Sequence, residues 1–196
     1  MKVIGITGPT GAGKTTALHV LRELGAEVID TDAVYHALLR ENGGLKSALV
    51  SAFGERILNG VGEVDRKALA REAYPNRLSE LNAVTHPFVV EEVDRRITAA
   101  RQEGRSVAID AIALIESGLA QRCDAVVAVL APRELRLRRI MARDGIDEEY
   151  ARRRVLAQQG DDFFRDNSDH TLENGVKDTE EHFRERALEL FRELLA

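Results

Sequence analysis

Residues 8–15 read Gly-Pro-Thr-Gly-Ala-Gly-Lys-Thr, which satisfies G-x-x-x-x-G-K-[ST] at every position. Each letter has a physical use. Glycines let successive backbone N–H groups turn inward around phosphate oxygens, and a helix starting there adds positive potential. Lys14 can reach the β- and γ-phosphates, and the Thr15 hydroxyl suits Mg²⁺. The plain alternative is a glycine turn that happens to precede Lys-Thr. Two aspartates follow in Asp30-Thr31-Asp32. A carboxylate at a strand end beside a phosphate loop can take a proton from an attacking hydroxyl or hold a metal-bound water. It can also simply cap a helix, and two aspartates leave room for one of each.

Val107-Ala108-Ile109-Asp110 places a carboxylate after three apolar residues, the pattern that holds a metal's coordination water in such sites. Glu116 lies nearby as a second polar group or a solvated one. Of the 28 cations 23 are Arg, and eight of these fall between 133 and 154. Arg139 and Arg143, one turn apart on one helical face, read as a lid that closes over a triphosphate and offsets its charge. The competing reading is a solvated face paired with Glu134, Asp144, Glu148 and Glu149. Of Arg152, Arg153 and Arg154, one or two are expected to be functional. His86-Pro87 reads as a helix break, with His86 a satisfied polar group in the core. No His/Cys/Asp set has metal-ligand spacing, and no Ser-His-Asp arrangement is visible.

These side chains need a frame, and the hydropathy pattern supplies one. Residues 3–7 are an apolar, β-branched run before the glycine turn, and 14–24 carry Leu18, Leu21 and Leu24 at helical spacing. Val28-Ile29 gives a second strand, and a helix with Val34, Leu38 and Leu39 follows it. From 43 to 105 only helical patterns and turns are visible. Strands resume at 106–109 and 125–130, then an Arg-rich helix at 133–143, a helix at 147–159 capped by Asp147, a short strand at 169–172 and a closing helix at 178–195. Phe183, Leu190 and Leu194 of that last helix point inward. Alternating strands and helices imply a parallel sheet with right-handed crossovers, into which the helical middle is inserted.

Composition bounds the rest. The 196 residues carry 28 Lys+Arg against 33 Asp+Glu, a net charge of −5. That suits one domain, or one with a sub-domain insertion. With 44% hydrophobic and 31% charged residues the chain can build a core and is not disordered. The acidic balance argues against a nucleic-acid partner. No run approaches the ~20 apolar residues of a membrane span, and Gly-Pro follows the first strand too soon for a signal peptide. The single cysteine, Cys123, excludes an intrachain disulfide and a four-Cys zinc site. A soluble, cytoplasmic protein is expected.

Taken in order, these segments resemble the dephospho-CoA kinase family over nearly the whole chain. The loop through Thr16 is followed by Val28-Ile29-Asp30-Thr31-Asp32, similar to the family's V-I-D-A-D. Further matches are residues 62–69 (Gly-Glu-Val-Asp-Arg-Lys-Ala-Leu), 81–87 ending in His86-Pro87, and 110–119 from Asp110 through Leu114 and Glu116. Later segments match as well: 139–145 resemble R-x-M-x-R-D-G, 154–158 resemble R-x-x-x-Q, and Ser168-Asp169 with Asn174 resembles the A-D-x-x-x-x-N ending.

The resemblance implies a three-layer α/β/α fold, a five-stranded parallel phosphate-loop kinase core at 1–30 and 106–196 with a lid at 133–165. Residues 31–105 would be a helical CoA-substrate sub-domain. It implies γ-phosphoryl transfer from ATP to the 3′-hydroxyl of dephospho-CoA, with Asp32 in the position of the base and Lys14, Arg139 and Arg143 assisting. Gly11, Ala12, Gly13, Lys14, Thr15, Thr16 and Asn174 would bind ATP. Asp32, His86, Asp110 and Leu114 would contact substrate, and Thr15 and Asp110 would hold Mg²⁺, the latter through water. A monomer or weak homo-oligomer is expected. Three positions depart from the family pattern: His36 where it has Arg, Ile112 where it has Pro, and Phe164, beside Arg165, where it commonly has Lys. Two alternatives stand beside this one, another phosphate-loop kinase of the nucleoside monophosphate or shikimate type, and a non-catalytic ATP-dependent switch.

Overall fold

The computed structural model describes residues 1–196. In chain order its elements are β1 (Val3–Thr7), α1 (Lys14–Glu23), β2 (Glu27–Asp30), α2 (Thr31–Glu41), α3 (Gly43–Phe53), α4 (Arg66–Ala73), α5 (Leu78–Gln102), β3 (Val107–Asp110), β4 (Ala125–Leu130), α6 (Arg133–Asp144), α7 (Glu148–Leu156), α8 (Asp161–Asp166), β5 (His170–Glu173) and α9 (Glu180–Leu195). Single 3₁₀ turns occur at Glu55–Ile57 and Leu119–Arg122. The five strands form one parallel sheet in the order β2-β3-β1-β4-β5. β1 is therefore interior, pairing with β3 on one side (Ile6 opposite Asp110) and with β4 on the other (Thr7 opposite Ala128).

Every residue of β1 and of β4 is buried, which is why both read in sequence as unbroken apolar runs rather than alternating ones. On one face α1 and α9 bring Leu18, Leu21, Phe183 and Phe191 against Ile4, Ile6, Val127 and Val129. Each such large side chain contributes about 1.5–3 kcal/mol when removed from water. The chain divides into two compact units, Met1–Ile29 with Ile97–Ala196, which holds the sheet, and Asp30–Arg96, which is helical. The second has its own core of Leu39, Leu45, Leu49, Phe53, Ile57 and Leu69.

Two local expectations are corrected. α5 runs through His86 and Pro87 without a break. Proline removes one backbone bond of the many in a 25-residue helix, and the buried Val89, Val93, Ile97 and Ala100 beyond it keep the following turns packed. The helix expected at 147–159 ends at Leu156, and the short α8 follows. Asp147 does cap the first of these, accepting from the Tyr150 N–H at 2.8 Å.

Cys123 lies beneath β1, where a Cβ added to Gly5 would sit 2.8 Å from its Sγ. Burial, with Asp124 and Asp169 adding repulsion, pushes the thiol up to about 12. At pH 8 only about one part in ten thousand would be thiolate, the reactive form. Iodoacetamide should therefore leave the native protein unlabelled over an hour at pH 8 and label it fully in denaturant. Rapid native labelling, read by intact mass, would contradict so low a thiolate fraction at this half-buried thiol. No helix is long and apolar enough to cross a membrane.

Candidate functional site

The phosphate loop leaves β1 after Thr7 and enters α1 at Lys14. Its glycines answer to close contacts. Gly8 has φ +127°, and a Cβ there would lie 2.1 Å from the Val129 carbonyl oxygen of β4. Gly13, at φ +114°, would place a Cβ 2.4 Å from Asn174 Nδ2. No L side chain fits either position without moving backbone or a buried amide. α1 starts without a side-chain cap bond and without an acidic residue in its first turn. Its positive end is thus not neutralised locally, the arrangement that favours an anion. Lys14 Nζ donates to the carbonyl oxygens of Gly8 at 2.7 Å and Pro9 at 3.3 Å, which holds the ammonium over the loop. Thr15 is exposed and Thr16 half-buried in the same turn.

From the other side the loop is held by α6 and by the residue after β5. Asn174 is buried, and its Nδ2 donates to the Ala12 carbonyl oxygen at 2.9 Å. Arg139 donates from Nη1 to the carbonyl oxygens of Gly11 (3.2 Å) and Ala12 (3.3 Å), and from Nη2 to Asn174 Oδ1 (3.1 Å). Burial lowers the Arg139 pKa, with Asp178 opposing. A guanidinium pressed against loop carbonyls, rather than against carboxylates, keeps its positive field directed at the loop.

Arg143 is placed differently, although sequence pairs it with Arg139. Its Nε and Nη2 donate to Asp144 at 2.7 and 3.0 Å, and its side chain is 59% exposed. Arg154 also donates to Asp144. Asp144 is held at about 2 by Arg143 first and Arg154 second. Arg152 and Arg153 pair with Glu148 and Glu149 along α7. These are the solvated pairs that the sequence left open as an alternative.

Asp110 closes β3 on the sheet edge from which the phosphate loop also springs. Leu114, expected to contact substrate, is fully buried; its Cδ2 would be 2.7 Å from a Cβ on Gly5. It fills the space under β1, so its side chain supports the site and does not line it. In the helical unit, the cap on α2 belongs to Asp30, whose Oδ1 accepts from the N–H groups of Asp32 (2.9 Å) and Ala33 (3.0 Å). Asp32 itself is exposed in the first turn. His86 is half-buried in α5. His36 sits with its Nε2 3.0 Å from Arg66 Nη2, and because a guanidinium only donates, that nitrogen accepts. Ile112 and Phe164 share the wall of one cavity of about 280 Å³, together with Ala113, Glu116, Gln158 and Gln159.

Sequence reasoning marked Gln158 only as the last letter of R-x-x-x-Q and did not foresee that its amide bonds twice to Thr10 of the loop, and it gave no separate role to Arg136, buried in α6. An amide has no charge pattern or periodicity to mark it, and Arg136 looks in sequence like its exposed neighbours.

The family model described as dephospho-CoA kinase matches residues 2–179. A dephospho-CoA kinase of Dehalococcoides mccartyi is 36% identical over 164 residues, covering 82% of each chain. One of Corynebacterium diphtheriae is 36% identical over 177 residues, 89% of this chain and 88% of its own. The crystal structure of TT1252 from Thermus thermophilus superposes with a TM-score of 0.82 at 36% identity, over 100% of this chain and 98% of that one. The chain belongs to the dephospho-CoA kinase family.

Proposed function

We propose that this protein transfers the γ-phosphoryl group of ATP to the 3′-hydroxyl of dephospho-CoA, giving CoA and ADP as the last step of CoA biosynthesis. The observation that carries the reading is the phosphate loop: its glycines are fixed by β4 and Asn174, Lys14 lies over it, and Arg139 bonds its carbonyls, all in a member of this family.

In this reading the loop N–H groups, with Gly11, Ala12, Gly13, Lys14, Thr15 and Thr16, hold the β- and γ-phosphates, and Lys14 and Arg139 offset the charge that develops there. The ribose oxygen bonds to the γ-phosphorus, the bond from that phosphorus to the β–γ bridging oxygen breaks, and ADP departs. Asp32 orients the hydroxyl and takes its proton. No cluster of three or more His, Cys, Asp or Glu could cage a metal. One hydroxyl and one carboxylate, Thr15 and Asp110, do fit Mg²⁺, which keeps several waters and draws its other ligands from phosphates. Bound there, it would neutralise the phosphate oxygens.

The helical unit supplies the acceptor side in this reading, with His86 in it. A cavity of about 850 Å³ there is lined by Tyr35, Leu39 and Leu81 together with His36, Arg66 and Lys67. Apolar walls beside fixed positive charge suit a long uncharged arm that carries phosphate, which is the chemistry of dephospho-CoA. We place the activity in the cytoplasm, in a monomer or weak homo-oligomer.

A coupled assay of ADP release tests the reading. Release that depends on dephospho-CoA supports it; release with shikimate or a nucleoside monophosphate instead, or nucleotide binding without turnover, overturns it. Arg139→Ala is expected to lower turnover about 30-fold, since it removes three charge-assisted bonds beside the phosphates. Arg143→Ala is expected to change turnover by less than about threefold, as an exposed pair would. Equal large losses in both variants would restore a shared lid role.

A further inference from the structure

Gln158 lies in the four residues, 157–160, that join α7 to α8. It reaches Thr10 across 148 positions of sequence. The Thr10 N–H donates to Gln158 Oε1 at 3.0 Å, and Gln158 Nε2 donates to Thr10 Oγ1 at 2.8 Å. One amide thus closes a ring of two bonds on a single loop residue, which is itself buried. The next approach of this connection to the core is an ion pair without a hydrogen bond. Asp161 Oδ1 stands 3.5 Å from Arg136 Nη2 and has no hydrogen-bond partner.

The geometry of the peptide gives this ring its reach. The Thr10 N–H and the Pro9 carbonyl belong to one planar trans unit and point in opposite directions. Whatever fixes the N–H therefore fixes the carbonyl. On that side the Pro9 oxygen accepts from Lys14 Nζ at 3.3 Å and from the Ala12 N–H at 3.3 Å. Lys14 and the Ala12 N–H are two of the groups assigned above to the phosphates. We propose that Gln158 is a positioning residue for phosphate binding: by holding the 9–10 peptide plane it sets the carbonyl against which Lys14 and the Ala12 N–H are registered.

The inference rests on the loop being the phosphate site and not on the identity of the acceptor, so its test omits the acceptor. Gln158→Met keeps length and volume and removes both bonds. Affinities for ADP and for AMP, which lacks the β-phosphate, are measured by titration calorimetry on the full chain with Mg²⁺. For Gln158→Met, ADP should weaken about tenfold and AMP less than about twofold, in line with the loss of two hydrogen bonds. Thr10→Val removes only the hydroxyl half and should cost ADP about threefold, and the double variant should bind ADP no worse than Gln158→Met alone. The ADP-to-AMP ratio is read within one variant, so partial unfolding does not mimic the result. ADP affinity within twofold of the parent, equal weakening of ADP and AMP, or additive effects of the two substitutions would overturn the proposal. Failure of the acceptor assignment would show instead as parent enzyme that releases no ADP with dephospho-CoA, leaving these ratios untouched.

Discussion

Lys14→Ala is expected to lower turnover at least ~100-fold, roughly 3 kcal/mol of lost transition-state stabilisation. Lys14 is the only side-chain cation within residues 8–15. Its ammonium is already aimed by the Gly8 and Pro9 carbonyls, so the charge is placed before any nucleotide arrives and need not be ordered during the reaction. The fold should survive, because the substituted side chain is only half-buried and the loop keeps its ties to Asn174 and Arg139. Steady-state turnover with saturating ATP and dephospho-CoA, alongside a melting curve, checks both halves. A variant that turns over within tenfold of the parent would remove the phosphate-loop assignment.

The second large effect is expected at Asp32. Asp32→Asn keeps size and most hydrogen bonding but cannot take a proton, so phosphoryl transfer should fall ~100-fold or more. ADP affinity and melting temperature should stay near the parent's, since the side chain is exposed and the cap of α2 is made by Asp30. Asp30→Ala is expected to do the opposite, lowering the melting temperature through loss of two cap bonds while leaving the proton acceptor in place. The pair of variants separates a base from a cap, which neighbouring aspartates in sequence do not. If Asp32→Asn keeps parental turnover at saturating dephospho-CoA, the base lies elsewhere, and Asp110 is the next candidate.

How far these features were legible in sequence follows from how each is held. The interior strands were plain because burial on both faces forces unbroken apolar runs, as in Val3–Thr7 and Ala125–Leu130. The edge strands β2 and β5 bury one residue each of four, so they left only faint signals: Val28-Ile29 caught the middle of β2, and β5 was read one residue early. α8 was missed because six residues carry too little periodicity to register. Pro87 suggested a break because local preference was the only information, and packing along α5 overrode it. In the site, the loop was readable because its backbone demands glycine where β4 and Asn174 press in. Arg139 and Arg143 were indistinguishable because one turn of helix separates a residue against the loop from one in solvent. Thr10 and Gln158 each fell in a matched segment, but their pairing left no trace, since two polar residues 148 apart obey no local rule.

The central place of β1 has a consequence for how the molecule comes into being. Its partners are Val107 to Asp110 on one side and Ala125 to Ala128 on the other, and the loop it launches is clasped by Asn174. A growing chain emerging from the ribosome therefore makes its phosphate-binding residues well before the segments that hold them in shape. For a hundred residues β1 is an apolar strand with both edges unpaired, a segment open to association with other nascent chains. The helical unit at Asp30–Arg96, built from contacts close in sequence, can form during that interval. Pulse-labelling of stalled nascent chains should find Asp30–Arg96 protected from protease well before residues 3–16.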